Sequence, residues 1–340
     1  MQRIKYISYI IPCYNEELTI NACYESLSHV ANDFPQVEFE FIFVNDASSD
    51  GTPFILNRLS ESDGRVKVIH FACNKGHQIA VTAGLDFASG DVTLIMDADL
   101  QDPPELLTQI LEKIREGYDI VHMQRRYRSG ESWFKLSTAH FFYKIINWFS
   151  GEQIVENCGD FRAISKPVLN TIKRFREPHR FLRGLFTRVG YRQCILQYDR
   201  KERFAGRSKY TLYKMVSLAI NGFLSMSAVP LRIITVSSMF FWGVSILVLI
   251  KAVVEYFMDK TVAGWTSLVF LMTFYSGIIT ISLAIIGLYV GRIFEQGQHR
   301  PLYLIADVRN IDRLEKELQK GLSSSSDFWV GIYGNIKEMN

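Results

Sequence analysis

Residues 92–105 read VTLIMDADLQDPPE, an apolar run followed at once by a cluster of acidic side chains. The run at 92–96 has the length and the β-branched content of a buried strand. Asp97 and Asp99 then place two carboxylates at the end of that strand. Oxygen ligands at this spacing suit Mg²⁺ or Mn²⁺ bridging a diphosphate, where the metal helps a nucleotide to leave. Acids at a strand end also cap helices, and Asp102 before two prolines fits that second interpretation.

Similar apolar runs occur on both sides of this stretch and alternate with helical patterns. The predicted strands cover residues 6–11, 39–44, 66–71, 92–96 and 120–123. The predicted helices lie near residues 16–31, 52–62, 79–88 and 104–115. Strands that alternate with helices form a mostly parallel sheet with helices on both faces. Residues 1–228 are therefore predicted to contain one α/β domain.

Polar side chains follow four of the predicted strands, at the point where each strand ends. They lie at residues 12–16, 45–46, 74–76 and 97–99. In open α/β sheets, ligands bind outside the carboxyl ends of the strands. We therefore expect one pocket that is built from these loops.

The apolar residues are concentrated in two long segments. Hydrophobic residues make up 48% of the 340 residues, although 21% of the chain is charged. Residues 233–250 and 261–291 carry no charge, and each is long enough to cross about 30 Å of hydrocarbon as a helix. They predict a transmembrane hairpin over 229–292, with spans near 231–255 and 264–290. The alternative is a pair of helices buried in a large globular core.

Charged residues around the hairpin predict its orientation. Basic residues lie on both outer flanks, whereas the loop between the two spans carries both signs of charge. The positive-inside rule then places both termini and the α/β domain in the cytoplasm. The first residues, MQRIKYISYIIPCYNEE, lack the long apolar region and the cleavage site of a signal peptide, so we interpret them as a strand.

Two further segments, residues 133–149 and 210–227, mix aromatic or apolar residues with lysines. This composition is typical of interfacial helices that lie on a bilayer. Ordinary amphipathic helices packed on the domain have the same pattern and are the alternative. Residues 293–340 are charged and then serine-rich, and we interpret them as a cytoplasmic tail.

Charge and cysteine content exclude several classes of protein. The chain has 38 Lys and Arg against 35 Asp and Glu, a formal net charge of +3, which is too balanced for binding nucleic acid along its length. The five cysteines lack the paired short spacings of a zinc site or a disulfide framework. We interpret them as reduced thiols that face the cytosol.

Four motifs occur in a fixed order along the predicted domain. They read IIPCYNEE (10–17), VNDASSDGT (44–52), NKGHQIAVTAG (74–84) and DADLQDPPE (97–105). Together they resemble the GT-A glycosyltransferases of family 2. Within that family the chain is similar to the polyprenyl-phosphate glycosyltransferases, which include dolichyl-phosphate mannose synthase and the bacterial undecaprenyl-phosphate (bactoprenol) glucosyltransferases. The hairpin resembles the bacterial branch, and the QxxRW motif of processive polysaccharide synthases does not occur.

The resemblance covers about residues 5–300. It implies a Rossmann-like GT-A catalytic domain with a mostly parallel sheet, followed by interfacial helices and the two-helix transmembrane hairpin. It also implies a site for a nucleotide sugar, for which the domain's strand-end loops supply the residues.

Matching positions imply a role for each residue of that site. Asp46 would accept hydrogen bonds from a uracil or guanine edge. Asp99 and Gln101 would bind the metal, with Asp97 nearer the ribose and the diphosphate. The other nucleotide-sugar residues by resemblance are Pro12, Tyr14, Asn15, Glu16, Asn74, Lys75, Gly76 and Ala98. The alternatives are that Asp46 caps a turn and that Lys75 is a surface charge.

Basic residues would bind the acceptor. A polyprenyl phosphate is already an anion at neutral pH, so its oxygen can attack the sugar C1 without a strong general base. Arginine forks suit phosphate oxygens. We expect the acceptor phosphate to contact Arg126, Arg128, Arg162, Arg207 and Lys209. Basic residues also flank membranes regardless of chemistry, which is the alternative for these side chains.

Asp160 lies in the segment CGDFR (158–162), which matches a segment of the bacterial branch that carries an aspartate near the reacting phosphate. The resemblance implies that Asp160 orients the acceptor or acts as a base, and that it is catalytic together with Asp97 and Asp99. A turn-capping aspartate beside Gly159 is the alternative. His77 shows no metal-ligand spacing, and we interpret it as a residue of the pocket wall.

These inferences predict an inverting, metal-dependent hexosyltransferase at the cytoplasmic face of a bacterial inner membrane. It would move glucose from UDP-glucose to undecaprenyl phosphate. After a flippase, the lipid product would serve as a donor for O-antigen or another cell-surface glycan. The resemblance also implies a homo-oligomer, such as a tetramer, in which glycines of the hairpin offer small faces at Gly243, Gly277, Gly287 and Gly291.

Several alternatives stay open at this point. Other donors are UDP-GlcNAc, UDP-GalNAc, a formylated aminoarabinose nucleotide, or GDP-mannose with dolichyl phosphate, because a few pocket groups decide which sugar hydroxyls are recognised. A rival of another class is a non-catalytic membrane scaffold that keeps the fold. A third is a two-helix channel, which the uncharged spans disfavour.

Overall fold

The structure, a computed structural model, describes residues 4–126, 158–178, 180–199, 229–257 and 264–311. Within these ranges one sheet contains eight strands. They are β1 (Tyr6–Cys13), β2 (Glu38–Asn45), β3 (Val66–Phe71), β4 (Val92–Ile95), β5 (Ile120–Arg125), β6 (Cys158–Ser165), β7 (Gln193–Tyr198) and β8 (Ile305–Arg309). The helices are α1 (Ile20–Asn32), α2 (Thr52–Ser62), α3 (His77–Phe87), α4 (Leu107–Arg115), α5 (Lys166–Lys173), α6 (Leu182–Arg188), α7 (Val229–Phe257) and α8 (Trp265–Gly297).

The strand order of the sheet is β7-β5-β6-β4-β1-β2-β3-β8. Parallel pairs join β1 to β2 and β4, β2 to β3, and β5 to β7. β6 runs antiparallel to β4 and β5, and β8 runs antiparallel to β3. The prediction of an α/β domain with a mostly parallel sheet is thus confirmed.

Apolar side chains cover both faces of the central strands, and this is why those strands read as continuous apolar runs. In β1, Ile7, Tyr9 and Ile11 are buried in one hydrophobic cluster, and Ile10 is buried in another. The parallel register sets Ile11 opposite Phe43 of β2. Burying a large apolar side chain contributes about 1.5–3 kcal/mol. Burial on two sides therefore holds the carboxyl ends of these strands at one edge of the sheet.

Two helices begin later than the periodicity predicts. α1 begins at Ile20 rather than near residue 16, because the backbone N–H of Glu16 donates to Oγ1 of Thr52 at 2.8 Å, outside any helix. α4 begins at Leu107, since Pro104–Leu106 forms a short 3₁₀ helix ahead of it. In both places the residues before the helix belong to a polar loop at the carboxyl edge of the sheet.

Of the strands that the sequence patterns do not predict, β6 matters most for the site. Its segment contains glycine, aspartate and arginine, which are not typical of a buried strand. It inserts between β4 and β5, and its antiparallel register pairs Arg162 with Ile95 of β4. The amino end of β6, with Gly159 and Asp160, therefore lies beside the carboxyl end of β4.

β8 returns the chain to the sheet after α8. The Tyr303 ring stacks on Phe71 with centroids 5.2 Å apart, and the Tyr303 hydroxyl donates to Asp86 at 2.7 Å. Asn310 donates from Nδ2 to the carbonyl oxygens of Ser60 and Val66. These contacts cover the outer edge of β3, which would otherwise expose unpaired backbone groups. The segment interpreted as a cytoplasmic tail thus begins with the last turns of α8 and with β8.

The two long helices coincide with the predicted spans. α7 has 29 residues and α8 has 33, and the ring of Phe241 in α7 contacts that of Phe274 in α8 edge-on at 5.6 Å. Among the described residues, one stretch, Phe274–Gly297, is long and apolar enough to cross a membrane, and α7 contains the shorter apolar stretch Ile234–Val244. Helical structure is therefore confirmed for both segments, whereas two spans stay a prediction.

Several predicted features cannot be compared with the fold. The interfacial helices at 133–149 and 210–227 lie outside the described residues, as do residues 258–263 between the long helices and residues 312–340.

Gly84 lies where α3 packs on β1. A Cβ atom at this position would lie 2.2 Å from Cγ2 of Ile10, which is fully buried. We expect Gly84→Ala to lower the free energy of unfolding by about 1–3 kcal/mol, because the packed core leaves Ile10 no room to move. Thermal unfolding of the full chain in detergent measures the change. Gly64→Ala is the control, since nothing lies within 4 Å of the Cβ position there. Equal losses in the two variants would contradict this packing.

Candidate active site

The loops at the carboxyl edge of the sheet contain an unusual backbone conformation. Asn15, Ala47 and Leu100 have positive φ angles of 54°, 54° and 60°. The left-handed region is costly for residues other than glycine, and such residues cluster at functional sites. One lies after β1, one after β2 and one after β4, so three of the five non-glycine residues with positive φ among the described residues lie at the edge where the sequence predicts a pocket.

The loops after β1 and β2 are joined by hydrogen bonds. The backbone N–H of Asn15 donates to Oγ of Ser48 at 2.9 Å, and Oδ1 of Asn15 accepts from the N–H of Ser49 at 2.8 Å. Tyr14 is 41% exposed, so its ring is accessible from solvent. Pro12 is buried within β1. Of these predicted nucleotide residues, Tyr14 is accessible to a base, whereas Asn15 ties two loops together.

Asp46 holds the loop that follows β3. Its two carboxylate oxygens accept from the backbone N–H groups of Lys75 and Gly76 at 2.7 and 2.8 Å, and its carbonyl accepts from Nδ2 of Asn74 at 3.1 Å. Burial raises the pKa of Asp46 despite these hydrogen bonds. Gly76 has a φ of 89°, which glycine adopts without strain. The four predicted residues therefore form one unit, in which Asp46 binds the loop rather than capping the turn after β2.

The acidic loop after β4 has one accessible and several buried members. The side chain of Asp97 is 35% exposed, whereas Ala98 and Asp99 are 2% and 9% exposed. Oδ1 of Asp99 accepts from the backbone N–H of Gln101 at 3.2 Å. Asp102 is buried and its Oδ1 accepts from the Tyr198 hydroxyl at 2.6 Å, and no side-chain cap begins the following 3₁₀ helix. The capping interpretation of Asp102 is therefore wrong.

The chemistry of this loop fits a divalent cation. No group of three or more His, Cys, Asp or Glu side chains within the described ranges forms a metal cage. Asp97, Asp99 and Gln101 still offer carboxylate and carboxamide oxygens from a single loop. Mg²⁺ is commonly held by one or two carboxylates, with substrate phosphates and waters completing its shell. The set suits a cation that binds together with a diphosphate.

Asp160 lies next to this loop and is surrounded by cations. Its Oδ2 lies 3.1 Å from Nε2 of His77, and that nitrogen lies 3.8 Å from Oδ1 of Asp97. Arg183, at the start of α6, donates from Nε to Oδ1 of Asp160 at 2.9 Å and from an Nη to Oδ2 at 3.2 Å. The structure thus brings two predicted catalytic acids, Asp97 and Asp160, near the same nitrogen of one imidazole.

These contacts set the charges of the cluster. Burial opposes ionisation of Asp160, but the Arg183 charge and the hydrogen bond from His77 hold its pKa well below the usual range. Burial alone would lower the pKa of His77, but the hydrogen bond to Asp160 and the charges of Asp97 and Asp160 raise it to about 9. At neutral pH the cluster therefore contains a carboxylate and an imidazolium, which makes Asp160 a poor proton acceptor.

The predicted acceptor-binding residues have different surroundings. Arg162 is 2% exposed, donates to the carbonyl of Gly159 at 2.9 Å, and lies 4.5 Å over the ring of Phe186. This burial favours a role inside the domain over contact with an acceptor. Arg126 is exposed and lies 3.5 Å from Asp199. Arg128, Arg207 and Lys209 lie outside the described residues.

The sequence patterns missed one arginine at the site, Arg183, and indicated Arg125 only as one of several basic residues after the fifth predicted strand. Arg183 lies in the segment LRGLFTR, which carries no motif. Arg125 is at the end of β5, and one of its Nη atoms would lie 2.8 Å from a Cβ atom at Gly159, so the absence of a side chain there makes room for it. Burial opposes the charge on Arg125, but interactions with Tyr198, Asp102 and Asp97 raise its pKa above the usual value. A basic residue that follows an apolar strand was the available signal for Arg125.

The raised pKa of His77 predicts a loss of stability at alkaline pH. Protonated His77 stabilises the folded protein fully below its unfolded pKa of about 6.5, and the contribution is lost as pH rises through about 9. We expect the unfolding midpoint of the wild type to fall between about pH 7 and pH 10 more steeply than that of His77→Gln. Thermal unfolding at a series of pH values measures both, with His29→Gln on the exposed face of α1 as a control. Identical pH profiles for wild type and His77→Gln would contradict the assignment.

Comparison with known proteins agrees with this geometry. Residues 8–173 match the family described as glycosyl transferase family 2. The chain is 40% identical over 306 residues to the uncharacterized glycosyltransferase YkcC of Bacillus subtilis, covering 90% of this chain and 94% of that one. It is 37% identical over 300 residues to the bactoprenol glucosyl transferase of Shigella phage SfV, covering 88% and 97%. It is 36% identical over 304 residues to a prophage bactoprenol glucosyl transferase homolog of Escherichia coli, covering 89% and 99%.

A solved structure is also similar. Glucosyl-3-phosphoglycerate synthase of Mycobacterium tuberculosis, in complex with Mn²⁺, uridine diphosphate and phosphoglyceric acid, is 20% identical, covers 65% of this chain and 78% of that one, and has a TM-score of 0.45. Identity to glycosyltransferases over nearly their whole length is the decisive finding. The chain therefore belongs to glycosyl transferase family 2 and is a glycosyltransferase with the GT-A fold.

Proposed function

We propose that this glycosyltransferase moves glucose from a nucleotide sugar, UDP-glucose in particular, to undecaprenyl phosphate. The observation that carries the proposal is the 37% identity to a bactoprenol glucosyl transferase over 97% of its length, a span that includes the two long helices. The matching range also contains the acidic loop, the Asp46 unit and the Asp160 cluster.

The donor would bind at the carboxyl edge of the sheet. Tyr14 is accessible there, and Asp46 organises the loop 74–76 that we assign to the nucleotide sugar. Oxygen atoms of a buried carboxylate accept more than one hydrogen bond, so the backbone contacts of Asp46 are compatible with a base edge as an additional donor. Glu16 completes the first loop through the hydrogen bond from its N–H to Thr52.

A divalent cation, Mg²⁺ or Mn²⁺, would be held by Asp99 and Gln101, with Asp97 beside the diphosphate. When bound, such a cation neutralises the negative charge that develops on the leaving diphosphate. Asp97 supports this arrangement because its side chain is 35% exposed and hence reachable from solvent. The cation His77 lies 3.8 Å from the Asp97 carboxylate, so positive charge is available at this edge before any metal binds.

The acceptor would attack directly. A phosphate oxygen of undecaprenyl phosphate forms a bond to the sugar C1 while the bond from C1 to the nucleoside diphosphate breaks, so the configuration at C1 inverts. The nucleophile is already an anion and needs no proton acceptor. The low pKa of Asp160, which Arg183 and His77 maintain against the effect of burial, agrees with a reaction that requires no base. Arg126, Arg128, Arg207 and Lys209 stay the proposed phosphate contacts.

The two long helices would anchor the enzyme in the cytoplasmic membrane as a hairpin, with the catalytic domain and both termini in the cytoplasm. Support comes from the large apolar side chains that both helices expose, such as Trp242 at 71% and Met272 at 65%. We further propose a homo-oligomer assembled through these helices, and a flippase that carries the product across the membrane. The lipid-linked glucose would then modify a cell-surface glycan.

The best supported alternative is the same reaction with another donor sugar. The residues assigned above would contact the nucleotide and the diphosphate, whereas few pocket atoms would recognise the hydroxyl groups of the sugar. A non-catalytic scaffold is less well supported, because the chain is 37% identical to a bactoprenol glucosyl transferase over 97% of that protein's length.

Transfer to lipid tests the proposal. We expect radiolabelled glucose from UDP-glucose to enter a butanol-soluble product when membranes that contain the full chain are given undecaprenyl phosphate. EDTA and Asp99→Ala should each reduce the product at least about 100-fold, because the leaving diphosphate loses its counter-charge. A panel of UDP- and GDP-sugars measured in parallel identifies the donor.

Asp33→Ala is the matched control, since it removes an exposed carboxylate at the end of α1. It should keep full transfer. Product from a different sugar would replace UDP-glucose by that donor. No product from any sugar, with folded protein that still binds UDP, would refute the enzymatic proposal in favour of the scaffold.

A further inference from the structure

Arg183 and Asp160 form a fork-to-carboxylate pair at the edge of the candidate site. We propose that Arg183 is a positioning residue of the transfer reaction: by fixing the Asp160 carboxylate, it holds the His77 ring beside Asp97. This inference rests on the proposed function and adds to it a residue that no sequence motif identifies. It also gives Asp160 a role other than that of a base. Its carboxylate connects Arg183 to His77 in a row of charged contacts that ends at Asp97, called the relay below.

The contact between Arg183 and Asp160 is directional. Nε and one Nη of the guanidinium donate to different carboxylate oxygens, at 2.9 and 3.2 Å. Such a two-point contact fixes the plane of the carboxylate as well as its position. Lysine has a single ammonium group and cannot reproduce this geometry. The Asp160 side chain is 12% exposed and that of Arg183 is 26% exposed, so solvent competes weakly for the pair.

The orientation of Asp160 then determines that of His77. One carboxylate oxygen of Asp160 lies 3.1 Å from Nε2 of His77, and the same nitrogen lies 3.8 Å from Asp97. His77 is the first residue of α3 and follows Gly76, whose N–H is held by Asp46. The backbone of His77 is thus fixed by the Asp46 unit, and its ring is fixed by Asp160. Arg183 lies 23 residues after Asp160 and 106 residues after His77. It belongs to none of the sequence motifs, yet it completes the set.

Arg162 has a different part in the same cluster. Its guanidinium donates to the carbonyl oxygens of Gly159 and Asp160 and stacks on Phe186, while its nearest approach to the Asp160 carboxylate is 3.8 Å. It supports the backbone on which Asp160 is carried. Arg183 is therefore the arginine whose contact controls the direction of the carboxylate.

The position of this relay suggests its use. It ends at Asp97, in the loop that we assign to the diphosphate and its metal. Transfer depends on alignment of the acceptor oxygen, C1 and the leaving diphosphate, and a displacement of about 1 Å can cost about 100-fold in rate. A rotated Asp160 would release the His77 ring and move positive charge away from the leaving group. Binding of the donor would change less, because Asn15 and Asp46 tie the loops assigned to the nucleotide sugar through other contacts.

The decisive test compares Arg183→Gln, Arg183→Lys and Arg176→Gln in the full chain. Arg176 is a matched control, because it forms an arginine–aspartate pair of 2.7 Å with Asp86 outside the site. We expect Arg183→Gln to lower kcat about 10- to 100-fold with a donor KM within about twofold of the wild type. Arg183→Lys should recover only part of kcat, and Arg176→Gln should match the wild type.

Coupling with Asp160 separates positioning from stability. Adding Asp160→Asn to Arg183→Gln should lower kcat little further, because both changes break one relay. A kcat equal to the wild type in Arg183→Gln, full recovery in Arg183→Lys, or multiplicative losses in the double variant would each overturn the proposal. Where Arg183→Gln fails to fold, Arg183→Lys carries the test, since a lysine that restores full kcat also overturns it.

A measurement without substrates makes failure of this inference distinguishable from failure of the proposed function. In protein labelled with ¹⁵N-histidine, the Nε2 resonance of His77 is assigned by its loss in His77→Gln. We expect it to shift in Arg183→Lys and to stay in place in Arg176→Gln. An unchanged resonance in Arg183→Lys would refute the relay even if no sugar acceptor were found. If the wild type is inactive but the His77 resonance shifts in Arg183→Lys, only the proposed reaction is refuted.

Discussion

The parallel pairing of β1 with β2 and β4 is the constraint on which the candidate site depends. It aligns the strands in register, so that each of them ends at the same edge of the sheet. Apolar side chains on both faces make this register hard to change, because a slip by one residue would exchange the two buried faces. The polar loops can therefore carry strained residues such as Asn15 and Leu100, since the buried strands hold their ends.

The loops at that edge stabilise one another through backbone groups more than through pairs of opposite charge. Asp46 accepts from two backbone N–H groups of the loop after β3, and Asn15 bridges to the loop after β2. Asp46 shapes the loop in this way, whereas Asp97 has a side chain that is 35% exposed and lies beside His77. The site thus separates acids that build the loops from an acid that faces solvent.

The antiparallel strand β6 adds the second half of the site. It carries Asp160 to the end of β4, where His77 and Arg183 approach it from α3 and α6. The result is a carboxylate that stays ionised, flanked by cations that also stay charged at neutral pH. Such a cluster is suited to ordering charge around a departing diphosphate, and it agrees with an acceptor that arrives as an anion.

The sequence by itself determined the α/β class, five strands, the loops that follow them and the two long helices, because hydrophobic periodicity and turn residues are local properties. It also identified the acidic loop and the Asp46 unit, whose members follow strands directly. It did not reveal β6, β7 and β8, nor the role of Arg183. The burial of Arg162 and the contacts of Asp160 with both His77 and Arg183 depend on partners in other segments of the chain. Only the tertiary structure decided them, because burial and charge pairing are set by distant segments that the sheet brings together.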